Sequence, residues 1–212
     1  MNKYEKFVIT INRELGSGGR TIGEKLGKKL NVPFYDKALL QQLKEQYHLT
    51  VEQIEYLKGQ KHNWWADCKR SMMMMPNYVG PSYIGKPVNM PDFLITDDIF
   101  RTETEILKGI AEDGSCIIAG RSGFHIFRDH PNHLSILIQA SLQHRIERLV
   151  RKREITYEQA REIIKQVDEA RENYVKKYTG SSRYDTRNYD LVINMDNHTE
   201  DEALDIILKY IK

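Results

Sequence analysis

A glycine-rich stretch near the amino terminus has the residue types that a phosphate-binding turn requires. Residues 16–23 read G-S-G-G-R-T-I-G, and they lie between an apolar run at 7–11 and a helical pattern that begins at residue 20. Glycines let the backbone turn several N–H groups toward one point, and the positive end of the following helix adds attraction for an anion. The stretch is therefore a candidate phosphate cradle. A strand-to-helix turn whose glycines only permit close packing would have the same sequence.

The stretch departs at two positions from the phosphate-loop pattern G-x-x-x-x-G-K-[ST]. Glu14 stands in the place of the first glycine, and Arg20 stands in the place of the lysine. Arginine keeps the positive charge and presents a forked set of donors to phosphate oxygens. Thr21 keeps a hydroxyl that can ligate Mg²⁺. The chemistry of the loop thus favours phosphate binding, and it leaves catalytic competence open.

A second candidate group follows another apolar run. Residues 115–119 read S-C-I-I-A, and Gly120 and Arg121 come directly after them. Ligands of open α/β sheets bind beyond the carboxyl ends of the strands. Arg121 is therefore well placed for an anionic substrate, with a surface arginine at a turn as the alternative.

A third group is helical and rich in arginine. The segments 141–153 and 156–178 have apolar residues at helical spacing, which predicts a helical hairpin. Most charged side chains on such helices are solvated. Phosphoryl transfer between phosphates nevertheless needs several cations, and an arginine-bearing lid that closes over the site would supply them while excluding water.

The elements that must position these groups alternate along the chain. Short apolar runs predict strands at 7–11, 32–36, 115–119, 134–139 and 189–194, and helical patterns lie between them at 20–30, 37–46, 97–113, 141–153, 156–178 and 199–211. Thr199 and Glu202 have the spacing of a capping box for the last helix. Alternating strands and helices predict a parallel sheet covered on both faces.

Composition narrows the function classes. Lys and Arg number 32 against 30 Asp and Glu, so the overall charge gives no indication of a nucleic-acid partner or a membrane surface. The first residues lack a signal-peptide core, and no stretch has the roughly 20 apolar residues of a membrane span. Cys68 and Cys116 lie far apart without metal-ligand spacing. We expect a cytoplasmic protein.

The motifs together resemble one family. The segments "ITINRELGSGGRTIGEKLGKKLNVPFYDKALL", "IIAGRSG", "LIQASLQHRIERLVRK", "VDEARENYVKKYTG" and "YDLVINMDNHTEDEAL" are similar, in content and in order, to the cytidylate kinase-like family of P-loop nucleoside monophosphate kinases. The resemblance implies a three-layer α/β fold, with a parallel five-stranded sheet and a helical lid. It implies one domain over 1–212: a core of 1–36, 97–150 and 180–212, an acceptor lobe at about 37–96 and a lid at about 151–179.

The resemblance also implies roles for particular residues. The phosphates of ATP would bind Gly16, Ser17, Gly18, Gly19, Arg20 and Thr21, with Thr21 near the metal. The acceptor would bind Asp36, Arg121 and Arg171. The catalytic cations would be Arg20, Arg145, Arg148 and Arg151. Serine follows Arg121 where the family has aspartate, and the segment 59–96 matches least.

The function implied is ATP-dependent phosphoryl transfer to a nucleoside monophosphate, CMP or dCMP above all, with Mg²⁺ as cofactor. The partners would be small nucleotides and neither nucleic acid nor membrane, and a homodimer is left open. One alternative is a kinase of another phosphate-bearing or alcohol substrate. The other is a nucleotide-binding regulatory module without turnover, which Arg20 and Glu14 suggest.

Overall fold

The computed structural model describes residues 1–41 and 97–211. The expected helix beyond residue 41 and the segment 59–96 lie outside the described residues. The chain forms two compact units, one made of residues 1–35 and 115–212 and the other of residues 36–114. The division into core, acceptor lobe and lid stays a prediction.

The first unit is built on one parallel sheet. Its strands are β1 (Val8–Arg13), β2 (Phe34–Tyr35), β3 (Cys116–Ala119), β4 (His133–Gln139) and β5 (Leu191–Asn194). They are arranged in the order β2-β3-β1-β4-β5, and every neighbouring pair is parallel. The predicted five-stranded parallel sheet is confirmed. Because β1 lies in the middle, the loop that follows it opens at the centre of the carboxyl edge.

Helices follow the strands where the sequence patterns predicted them, and one short helix, Gly123–Ile126, was not predicted. In the first unit they are α1 (Gly19–Leu30), α3 (Gly123–Ile126), α4 (Leu142–Arg153), α5 (Tyr157–Thr179) and α6 (Glu200–Tyr210). In the second unit, residues 37–41 are helical and α2 spans Asp97–Asp113. None of the helices in 1–41 and 97–211 is both long and apolar enough to cross a bilayer.

Two of the helices begin at capping boxes, which satisfy N–H groups that a helix start leaves unpaired. At α6 the Thr199 hydroxyl accepts the Glu202 N–H at 3.2 Å, and the Glu202 carboxylate accepts the Thr199 N–H at 2.7 Å. The predicted box is therefore present. Thr156 and Gln159 form the same arrangement at α5.

The core explains why the sheet stays in register. Ile9 and Ile11 of β1 are fully buried together with Ile22 of α1 and Ile207 of α6 on one face. Since successive strand side chains point to opposite faces, Thr10 lies on the other side of the sheet. On that side α3 packs closely against the sheet, because a Cβ atom added to Gly123, its first residue, would lie 2.9 Å from the Thr10 methyl group. Helices thus cover both faces.

A smaller apolar cluster joins α4 and α5. It consists of Ile146 and Leu149 from the first helix and Ala160 and Ile164 from the second, each buried. This packing forms the predicted helical hairpin. The charged side chains of both helices lie around that apolar contact, and their positions bear on the site.

Candidate functional site

The glycine-rich loop joins the central strand to α1 in a conformation that needs its glycines. Gly16 and Gly18 both have a φ of 87°, a left-handed backbone that other residues adopt only with strain. Ser17 turns back on the loop: its N–H and its hydroxyl donate to the Glu14 carbonyl at 3.3 and 3.0 Å. Gly18 is the N-cap of α1 and supplies no side-chain cap. The positive end of α1 therefore opens into the loop.

Glu14 has a structural part in the loop. Its carboxylate accepts the N–H of Ala140 at 3.0 Å and lies 3.7 Å from the Arg145 Nε atom. Its own N–H donates to the carbonyl of Ile138 at 3.1 Å. A glycine could supply only the last of these bonds. The residue that breaks the sequence pattern thus fastens the loop to the end of β4.

Arg20, in the place of the usual lysine, runs along its own helix. Its Nε atom lies 3.0 Å from a carboxylate oxygen of Glu24, one helical turn later, and its side chain is about one third exposed. Its role with phosphate stays a prediction.

Arg148 of α4 reaches over the glycine loop instead. Its Nη2 atom lies 3.4 Å from the Thr21 hydroxyl oxygen and is paired with the carboxylate of Glu200. A Cβ atom added to Gly18 would lie 3.6 Å from the Arg148 Cζ atom. The Arg148 side chain is only 13% exposed, so its position is held by packing. The structure thus brings one of the predicted catalytic arginines to the predicted phosphate loop.

A cavity of about 440 Å³ opens beside this loop. Four lysine and arginine side chains line it together with the carboxylates of Glu200 and Asp201. The pKa of Lys152 is lowered by burial and then by the neighbouring Arg148 charge. The pKa of Lys25 is raised, chiefly by its hydrogen bond to Asp201, whose carboxylate lies 2.6 Å away. Such a cavity suits the remainder of a phosphorylated ligand. Its lining includes Ser17, His144, Arg148, Arg151, His198 and Thr199.

Arg145, another predicted catalytic arginine, is buried and faces inward. It forms an ion pair with Asp168 of α5, and both side chains are about 11% exposed. The other oxygen of Asp168 accepts the Leu15 N–H at 3.2 Å. The same carboxylate lies 3.8 Å from Arg171 and 3.6 Å from Arg183. Asp168 therefore joins the lid hairpin to the phosphate loop.

A second cationic region surrounds the ends of β1 and β3. The Arg121 guanidinium lies over the ring of Tyr174, 4.6 Å from its centroid. The Arg13 guanidinium lies against Gly120 so closely that a methyl group there would overlap it. Arg171 donates to the Arg13 carbonyl at 3.2 Å. Arg171 thus lies at the end of β1, and Arg121 packs against Tyr174 of the same helix as Arg171; their parts in acceptor binding stay predictions.

Arg183 is a further arginine at the end of β1. It is fully buried, donates to the Arg13 carbonyl and stacks over the Tyr184 ring at 5.2 Å. A fully desolvated guanidinium needs a compensating charge, and the Asp168 carboxylate supplies it. This buried arginine therefore helps to hold Arg13 at the end of β1 in place.

Two predicted residues are not brought to these groups. Asp36 belongs to the second unit, is 7% exposed and accepts the Leu39 N–H at 3.0 Å, which makes it a helix cap. Arg151 is exposed on the last turn of α4 and only lines the cavity. Their parts in acceptor binding and catalysis stay predictions.

Several residues of the site were not among the predicted ones. Arg13 ends a buried strand, and the rule that selected Arg121 would have selected it as well. Lys25 is one helical turn from Thr21, which the spacing could have indicated. Arg183 and Glu200 lie in distant parts of the sequence with no local signal, so only the fold brings them here.

A divalent metal at this loop would take its ligands from the chain and from the nucleotide together. The residues 1–41 and 97–211 contain no group of three or more His, Cys, Asp or Glu side chains that could hold a metal ion. Mg²⁺ bound with nucleotides usually keeps several waters and takes one or two protein ligands plus phosphate oxygens. The Thr21 hydroxyl at the start of α1 would be one such ligand. The residues present therefore fit a metal that arrives with the nucleotide.

Comparison with known proteins identifies one family whose model covers most of the chain. A family model described as the cytidylate kinase-like family matches residues 8–197. No curated protein matches the chain.

Solved structures share the fold over nearly the whole chain. An uncharacterized protein from Eubacterium ventriosum is 25% identical with a TM-score of 0.68, and the match covers 97% of this chain and 98% of that one. Shikimate kinase from Bacteroides thetaiotaomicron is 15% identical with a TM-score of 0.50, covering 97% and 98%. TT1252 from Thermus thermophilus is 16% identical with a TM-score of 0.50, covering 98% and 99%. The last two identities are low, so these structures bear on the fold alone.

Proposed function

The chain belongs to the cytidylate kinase-like family, and from this premise we propose that it transfers a phosphoryl group from ATP to a nucleoside monophosphate, with CMP or dCMP as the first candidates. One observation carries the proposal. The unit that contains the sheet has two cationic regions, one at the glycine loop with Arg148 and one at the strand ends with Arg121 and Arg171. A donor polyphosphate and an acceptor that carries its own phosphate would each use one of them.

In this proposal the donor binds the glycine loop. Its terminal phosphates would contact N–H groups of the loop other than that of Ser17, which donates to the Glu14 carbonyl, and the positive end of α1. Arg148 would turn from Glu200 to the phosphates, and Arg20 would leave Glu24 for the same purpose. The nucleoside would extend into the 440 Å³ cavity next to the loop. Arg151, which lines that cavity, is free of the buried ion pairs that hold Arg145.

The acceptor would bind at the ends of β1 and β3. Arg121 and Arg171 would hold its phosphate, with Arg13 beside them. The acceptor role of Asp36 stays a prediction from the family resemblance. The mechanism needs no covalent intermediate, because positioning and charge stabilisation carry phosphoryl transfer. Mg²⁺ would be held by Thr21 and phosphate oxygens, and it would neutralise charge that develops on the transferred group.

The buried ion pairs would set the geometry of the transfer. Arg145, Asp168 and the Leu15 N–H link the lid hairpin to the loop. A lid fixed in this way would bring α4 and its arginines to the donor in one orientation. In this role Arg145 acts through position, and Arg148 is the α4 arginine that would touch the donor.

An acceptor panel tests the proposal. We would measure ADP release from Mg-ATP with CMP, dCMP, UMP, AMP, GMP and shikimate, one at a time. The expected result is turnover with CMP or dCMP that falls about 100-fold or more when Arg148 is replaced by alanine, the size of effect seen when one charge-stabilising group is removed. Turnover with shikimate alone would indicate an alcohol kinase and contradict the proposed acceptor.

A regulatory module is the second candidate function, because Arg20 is paired with Glu24 and points along its own helix. Such a module would bind ATP saturably without transfer to any acceptor. Transfer to an acceptor distinguishes the two, and Arg20→Ala then tests the contact with phosphate. In the kinase it weakens ATP binding and slows transfer, whereas unchanged affinity for ATP would count against a phosphate contact by this residue.

A further inference from the structure

Glu200 places a carboxylate beside the backbone of the glycine loop. A Cβ atom added to Gly18 would lie 3.5 Å from the Glu200 Oε1 atom, in ordinary contact. Glu200 is the first residue of α6, and Gly18 caps α1. Helix starts attract anions. The carboxylate therefore lies near the positive ends of two helices, where a phosphate would also be favoured.

The carboxylate also holds the cations that a phosphate would need. Glu200 pairs with Arg148, and its other oxygen lies 3.8 Å from the Lys25 ammonium group. The Arg148 side chain is 13% exposed and the Glu200 side chain 22%, so the pair is largely withdrawn from solvent. A polyphosphate that enters the loop meets this negative charge at close range, where like charges repel strongly.

Arg148 has a second contact that does not depend on Glu200. Its Nη2 atom lies 3.4 Å from the Thr21 hydroxyl. Both this contact and the burial of the arginine would persist if Glu200 lost its charge. Neutralising Glu200 is thus expected to leave Arg148 over the loop while removing its internal anion.

From these contacts we propose that Glu200 is an internal stand-in for the donor phosphate: it occupies the mouth of the glycine loop, holds Arg148 and Lys25, and must be displaced when a polyphosphate binds. This inference rests on the proposed function, because it takes the loop to be the donor-phosphate site. Glu200 of α6 would lower the affinity for the donor by competing with its phosphate, whereas the arginines would raise that affinity. No bond is made or broken; Arg148 exchanges one anion for another, while Lys25 keeps its hydrogen bond to Asp201.

The test compares the wild-type protein with Glu200→Gln in calorimetric titrations with sodium tripolyphosphate at low ionic strength. The probe has no base or ribose, so it reports on the loop alone. The glutamine variant is expected to bind about tenfold more tightly, a change of about 1.4 kcal/mol. Asp205→Asn is the matched control, since it removes one negative charge from an exposed position of the same helix. It should change affinity by less than about twofold, because exposed charges are screened.

The outcomes separate this proposal from the proposed function. Equal or weaker binding by Glu200→Gln overturns the proposal, because Glu200 would then only orient Arg148 or lie apart from the anion. Absence of tripolyphosphate binding in both proteins overturns it too. Glu200→Ala should also bind more tightly, and thermal unfolding verifies that both variants are folded. If Glu200→Gln gains affinity for tripolyphosphate but no acceptor in the panel is phosphorylated, the proposal for Glu200 holds and the proposed kinase function fails.

Discussion

Replacing Asp168 with asparagine tests whether one carboxylate organises the site. Asp168 is 8% exposed and faces three arginines, of which Arg145 is 9% exposed and Arg183 fully buried. Asparagine keeps an oxygen that can accept the Leu15 N–H, so the change removes charge more than shape. The variant therefore isolates the electrostatic part of the link between the lid hairpin and the loop.

The size of the effect follows from burial. Breaking a buried ion pair by removing one partner costs about 3–5 kcal/mol, because an uncompensated charge is left in the interior. Glu14 lies 3.7 Å from Arg145 and compensates part of this charge, so we expect a loss near the lower limit, about 3 kcal/mol. For a chain of this size that corresponds to a fall of roughly 6–12 °C in the unfolding temperature.

Urea unfolding followed by circular dichroism measures the free energy, and an ATP titration of the folded variant measures the link to the loop. Glu169→Gln is the matched control, because Glu169 is exposed on the same helix and its loss should leave the midpoint unchanged. We expect Asp168→Asn to lose both stability and ATP affinity. A variant with the wild-type midpoint would refute the reasoning, because it would mean that the buried arginines do not depend on this carboxylate.

Three further predictions concern the loop, the sheet and the acceptor. Gly16→Ala should fold poorly, because its methyl group would lie 2.8 Å from the Arg145 carbonyl oxygen at a φ of 87°. Gly18→Ala has the same φ, but its methyl group would lie 3.5 Å from the nearest atom, a Glu200 carboxylate oxygen, so it should fold with about 1–2 kcal/mol less stability. Equal unfolding midpoints for the two variants would contradict this. Burial lowers the pKa of His133 from 6.5 to about 4. The unfolded chain therefore binds the proton first, and the free energy of unfolding should fall as the pH drops from about 6.5 to 4. Denaturant titrations at several pH values check this, and an equal dependence of the unfolding free energy on pH in His133→Gln would refute it. Arg121→Ala should raise the acceptor KM at least about tenfold, the loss of a charged hydrogen bond, with the ATP KM little changed; steady-state kinetics that show equal changes in both would contradict an acceptor role.

The sequence was most informative where local physics decides the structure. Apolar runs such as 134–139 predicted strands buried on both faces, and the capping box at Thr199 located a helix start to within one residue. The prediction that α2 spans 97–113 is confirmed in its bounds. These features depend on neighbours in the sequence, so a pattern of residues is enough to indicate them.

The site was harder to predict because its charges come from distant segments. Arg145 and Arg148 lie three residues apart on α4 and look alike in the sequence, yet one is buried against Asp168 and the other lies over the loop. Arg20 matched the pattern position of a phosphate-binding lysine, and the structure pairs it with Glu24. Which partner an arginine takes depends on tertiary packing, and no spacing rule contains that information.

Transfer of radiolabelled γ-phosphate from ATP to nucleoside monophosphates tests the central claim most directly. The account predicts labelled CDP or dCDP with the wild-type protein and at least about 100-fold less product with Arg148→Ala, as for loss of one charge-stabilising group. A folded wild-type protein that labels none of the monophosphates, or an Arg148→Ala variant that labels them as fast as wild type, would contradict it.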